Sequence, residues 1–146
     1  MSANSLHEQI RAAIQSAQAE MAGGNVQRGR AWPMAEQDQE LVKVYLDQST
    51  VTQFSLGGQP NDWNTRVRCE YHARGTTADN AEVLADALLV QGLELVLADP
   101  TLGGLAIIGI EPIAMAWSSD DADTSVGIAQ CLFQVVHRTP AHSIAA

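Results

Sequence analysis

The sequence has little positive charge: eight Lys and Arg stand against 17 Asp and Glu, a formal net charge of −9 at pH 7. That balance repels nucleic-acid phosphates and anionic membrane surfaces, so neither specific nucleic-acid binding nor membrane association is expected. Cysteine is scarce as well, with Cys69 and Cys131 alone, each in an alternating apolar segment. Two such thiols read as reduced core residues and exclude a disulfide scaffold. No apolar run approaches the ~18 residues of a membrane span. Met1 to Glu8 lacks the basic start and apolar stretch of a signal peptide. A reducing cytoplasm, or an assembly built there, is the expected setting. Internal repeats and low-complexity tracts are absent too.

What is present is an ordinary globular composition: 146 residues, 46% hydrophobic and 17% charged. A chain of this size buries roughly 70% of its unfolded surface. It is read as one domain over residues 1–146, ordered from about 4 to 139, with a frayed tail over 140–146.

Leu6, Ile10, Ala13, Ile14, Ala17 and Met21 recur at helical steps, and Ser5 with Glu8 forms a capping box at the start. Gly23-Gly24 ends that helix. A polar connector containing Gly29, Arg30, Trp32 and Pro33 leads to a strand over Leu41 to Leu46. Asp47 to Asp62, punctuated by Gly57-Gly58 and Pro60-Asn61, reads as an extended hairpin-like loop carrying Val51 and Phe54 outward.

Thr65, Val67, Cys69, Tyr71 and Ala73 then alternate with Arg66, Arg68, Glu70, His72 and Arg74, the pattern of a strand with one dry and one wet face. A second helix spans about Asp79 to Leu97, with Asp79 and Glu82 placed to cap it. Its expected core face is Val83, Leu84, Ala87, Leu88 and Leu95, widened by Leu89, Val90 and Leu93. Asp99-Pro100 ends it, and Thr101-Leu102-Gly103-Gly104 forms a turn. A strand from Leu105 towards Trp117 contains Pro112, which predicts an edge position or a bulge near Glu111. After the acidic turn Ser118 to Asp123, Val126 to His137 returns as its hairpin partner.

This order predicts an α+β fold: a mixed, mainly antiparallel sheet of about four to five strands with two helices on one face.

The pattern offers no catalytic, cofactor or metal machinery. Cys69 and His72 have an odd spacing, so a strand points them to opposite faces, and nothing sets Cys131 and His137 against them. The Asp120, Asp121, Asp123 group lacks the glycine and the twelfth-position glutamate of a calcium loop, and reads as a solvated turn. Gly103-Gly104 leads into a strand rather than a phosphate-binding helix, and no Gly-x-Ser-x-Gly elbow occurs. The chain is not expected to be an enzyme.

Large apolar side chains do stand in segments that otherwise read as loops: Trp32, Met34, Phe54, Trp63 and Trp117. With the wide apolar helix they point to a partner surface, since tryptophan and methionine are enriched in interface cores. Arg28, Arg30, Arg66, Arg68 and Arg74 form a local basic stretch between acidic portions of the chain.

From about residue 4 to 139 the sequence resembles the tail terminator, or tail completion, proteins of long-tailed phages. The resemblance lies in Gly29-Arg30-Ala31-Trp32-Pro33-Met34 leading to Leu41-Val42-Lys43-Val44-Tyr45, and in Thr65-Arg66-Val67-Arg68-Cys69-Glu70-Tyr71. It continues in Asp79-Asn80-Ala81, in Asp99-Pro100-Thr101-Leu102-Gly103-Gly104-Leu105-Ala106 and in Leu132 to Thr139. Glu40-Leu41 stands where many members carry a proline, and Pro112 interrupts a strand.

The resemblance implies a structural virion protein of the tail-neck region, assembled in the host cytoplasm. It would form a ring, as a hexamer, that caps the tail tube, stops its polymerisation and joins the head connector. Arg66, Arg68 and Arg74 could then make inter-subunit ion pairs or line a channel for passing DNA; separately, the position of Phe54 and Trp63 in the expected projecting loop makes them the candidate contacts to the tube protein. The alternatives are another head-tail connector or neck protein, or, from a different class, a small-ligand-binding protein or minor enzyme.

Overall fold

The structure, a computed structural model, describes residues 4–29, 34–53, 60–119, 125–141 and 143–145. Alternation in the chain's clearest strand puts Val67, Cys69, Tyr71 and Ala73 on one face, each no more than 1% exposed. These residues belong to β3 (Asn61–Arg74), the central strand of a five-stranded sheet. On one side of it lie β2 (Glu40–Gln53) and the outer β1 (Val26–Arg28). On the other side lie β5 (Val126–Thr139) and the outer β4 (Ile108–Ser119). β1 runs parallel to β2, and every other pairing is antiparallel.

Val44, Cys69 and Cys131 stand in register across β2, β3 and β5, and Val42, Tyr71 and Ala129 form the next row. Two helices cover this front face. α1 (Leu6–Ala17) brings Ile10 and Ile14, and α2 (Ala81–Leu97) brings Ala85, Leu88, Leu89 and Val96, completing one core with Phe133 and Val135. Each large side chain buried there stabilises the fold by about 1.5–3 kcal/mol. The fold is the expected α+β arrangement.

Ser5 caps α1, its hydroxyl accepting the Glu8 N–H at 3.1 Å. The buried Arg11 donates to both carboxylate oxygens of Glu8, which keeps a charged group tolerable beneath the helix. Gln18, fully buried just past the helix, accepts from the Tyr71 hydroxyl at 2.6 Å and donates to the Ile14 carbonyl.

α2 differs from its expected form in two ways. Asn80, rather than Asp79, is its N-cap and accepts the Glu82 N–H at 2.8 Å. Its buried face is Ala85, Leu88, Leu89, Gly92 and Val96, whereas Val83, Ala87 and Leu95 are exposed. The cause is Gly92: a Cβ there would fall inside the Tyr71 ring, so the helix seats its glycine against the sheet and turns other apolar residues outward. Nearly uniform hydrophobicity around the helix hides that rotation from periodicity.

The strands flanking the expected 47–62 loop are longer than the sequence suggests. Ser49, Thr50 and Val51 pair with Thr65, Asn64 and Trp63, and the register shift at Leu46/Gln48 absorbs the break in alternation. Phe54 lies outside the described residues, as do Arg30, Trp32 and Asp120 to Asp123. β4 is an edge strand with irregular register on both sides of Glu111-Pro112, as the proline predicts. Near the C-terminus, Ala145 bridges to Ser5, and the Leu6 N–H donates to the Ile144 carbonyl at 2.7 Å.

Candidate interface

Pro112 places β4 at the sheet edge, where one side has no pairing strand among the described residues. The Ile110 N–H reaches the Pro100 carbonyl at 2.8 Å, so the turn after α2 covers the beginning of that edge. Residues 111–119 beyond it are all exposed. Met115 and Trp117 stand in register with Cys131 and Ala129, and so share the helix-covered front face. They are 40% and 53% exposed. The Trp117 indole N–H donates to Asp86 Oδ1 at 2.9 Å, tying the strand to the outer side of α2. Val83 and Val90 flank Asp86 at helical steps of three and four, and Leu97 continues the line at seven; all three are exposed. β4 and α2 thus present one continuous apolar ridge.

The other residues singled out from sequence do not gather with Trp117. Met34 is buried on the back face with Leu41 and Val126, so it packs the chain against itself. Arg74 holds the neighbouring connector, donating to the carbonyls of Asp38 and Ala35 and to the Ser125 hydroxyl. Arg68 donates to Gln130 Oε1 at 2.9 Å and pairs with Asp47 at 3.4 Å. Arg66 is half-buried between Gln48 and Gln134 of the adjoining strands.

The back face is less wet than alternation suggests: His72 is 2% exposed, and Glu70 takes hydrogen bonds from the Tyr45 hydroxyl and the His72 ring. Burial raises the Glu70 pKa, but the bonds from His72 and Tyr45 outweigh it and leave the carboxyl below its ordinary value.

Trp63 occupies β3, not a projecting loop. Its N–H donates to Thr139 Oγ1 at 2.8 Å, and His7 of α1 meets its ring edge-on at 5.1 Å. His7 also meets the His137 ring at 4.7 Å, and His137 Nε2 lies 2.6 Å from Thr65 Oγ1. Burial, followed by the charge of His7, pushes His137 down to about 4; burial alone lowers His7. The sequence contained no signal for this cluster, because its members come from α1, β3 and β5, far apart along the chain.

Cys69 and Cys131 face each other in the dry core, where burial pushes both thiols up to about 12 and leaves them poor nucleophiles. His72 and His137 point to opposite faces of the sheet, away from any joint site. Among the described residues, no three His, Cys, Asp or Glu could hold a metal ion. The hollows they form are open surface grooves, such as one of about 360 Å³ between α1 and β1 and one of about 440 Å³ between α1 and the end of α2. No described helix is long and apolar enough to cross a membrane.

No family model and no curated protein matches the chain. Solved structures do. A chain from the virion of a native gene transfer agent particle is 15% identical with a TM-score of 0.52, over 92% of this chain and 92% of that one. A chain of the PVC sheath/tube terminator of an extracellular contractile injection system, in its extended state, is 10% identical with a TM-score of 0.40. That match covers 100% of this chain and 61% of the other. This protein therefore has the fold of a virion protein, matched along nearly its whole length.

Proposed function

We propose that this chain is a structural tail-end protein of a phage-like particle, which caps the finished tail tube as a ring and presents the surface that joins the head. The observation that carries the reading is the end-to-end fold likeness to a virion protein. The terminator-like motifs described above and the exposed ridge of β4 and α2 support it. Capping is a matter of binding geometry: a ring seated on the last tube subunit covers the site where the next would add. No bond is made or broken, in keeping with thiols held protonated in the core and grooves open to solvent.

The reading is tested in a tube-assembly reaction. Adding the purified protein to growing tail tubes is expected to halt elongation and narrow the length distribution. Tubes that lengthen at the same rate in its presence would remove the capping role.

A further inference from the structure

The ridge of β4 and α2 is unusual for a solitary protein. Natural edge strands carry charges, prolines or bulges that block pairing with another chain. β4 carries Pro112 and irregular register up to Ala114, but Ala114 to Ser119 beyond them is a regular stretch of six exposed residues with no charge, proline or glycine. With Val83, Val90 and Leu97, which are 63%, 50% and 38% exposed, it forms a contiguous apolar patch of the kind that marks a protein–protein contact.

The opposite edge of the sheet offers its complement. β1 lies there, and the groove between it and α1 is lined by Ala12, Gln15, Ser16, Ala19, Gly24 and Val26, a concave floor of small side chains. Arg28 at that edge is 66% exposed and ion-paired with Glu8 of its own chain at 3.3 Å. α2 exposes Glu82, Asp86 and Glu94 and contains no Lys or Arg, and Glu111 is exposed on β4. Strand direction also agrees. β4 runs opposite to β1 across the sheet, so two copies set side by side with their helices on the same face bring the strands together antiparallel.

We propose that the β4 edge of one copy of this chain joins the β1 edge of the next, with Met115 and Trp117 seated in the α1–β1 groove. This deepens the ring reading and rests on it. The contact is head-to-tail, so an open string of copies has one unused edge of each kind, at its two ends, until the rotation closes it into a ring.

Two single-sided variants test it, both at exposed positions in regular elements: Met115→Arg on the ridge and Ser16→Arg in the groove. Sedimentation velocity should find closed oligomers for the unaltered chain. Each variant alone should sediment as a monomer with an unchanged far-ultraviolet circular dichroism spectrum, its association weakened at least about tenfold. An equal mixture of the two should form dimers and nothing larger, because only one good contact remains per pair. Oligomers that persist in either variant would overturn the proposal, as would a Met115→Arg monomer beside an unaffected Ser16→Arg oligomer, the signature of β4 pairing with itself. An unaltered chain that stays monomeric would overturn it too. Tube-end binding by the unaltered chain, scored separately, distinguishes failure of this surface from failure of the tail-end reading.

Discussion

His137 illustrates how single residues hold the far end of the sheet. Its ring is 1% exposed, with His7 against it, Thr65 on one nitrogen and the other nitrogen unpartnered among the described residues. In the unfolded chain a histidine takes a proton near pH 6.5; in the fold His137 takes one near 4. Between those values the unfolded state binds more protons, so stability falls as pH drops from about 6.5 to about 4 and the contribution is flat below. The loss from His137 is roughly 3 kcal/mol, and His7 adds in the same direction. The charged neighbours are Asp62 and Arg138, and Arg138 holds the Asp62 carboxyl below its ordinary value, so the stability from that pair is lost only in more acidic solution. Urea denaturation at pH 7 and pH 5 should show the drop, and His137→Gln should flatten most of it. Equal slopes in the two proteins would mean that other groups carry the acid sensitivity. Trp63 acts at the same scale. Trp63→Ala should cost up to about 3 kcal/mol by thermal or chemical denaturation, because it removes the half-buried indole's packing on His7 and its hydrogen bond to Thr139.

At the scale of elements, α2 is held by its cap and its glycine. Asn80→Ala removes the acceptor for the Glu82 N–H and should cost about 1 kcal/mol. Gly92→Ala drives a methyl into Tyr71 and should cost about 1–3 kcal/mol, unless the helix lifts, which near-ultraviolet circular dichroism of Tyr71 would detect. These elements also mark what the sequence makes legible. β3 is readable because ten residues alternate without a break, and Pro112 correctly announces an edge strand. β1 is not readable: its three residues owe their conformation to pairing with β2, and isolated they have no period to detect. The rotation of α2 is hidden for the opposite reason, since apolar residues all round give no preferred face. Of the candidate site, Trp117 stands out in sequence as a large side chain that nothing local accounts for. Met34 and Trp63 look the same there, and only the long-range contacts show that they serve the chain's own packing.

For the whole molecule, the features converge on assembly. The core beneath the two helices is one cluster, with a smaller one of Met34, Leu41 and Val126 on the back face, and both thiols are buried and protonated. Much of the exposed carbon lies along the β4–α2 edge, and a groove of about 360 Å³ lies at the edge across the sheet. Such a pair of edges suits the proposed ring. The net charge of −9 disfavours grip on DNA. The most direct test of the tail-end reading is electron microscopy of the purified protein at high concentration, with and without tail tubes. The account predicts closed rings in free solution and one ring at a single end of each tube. Monomers throughout, with every tube end bare, would contradict it.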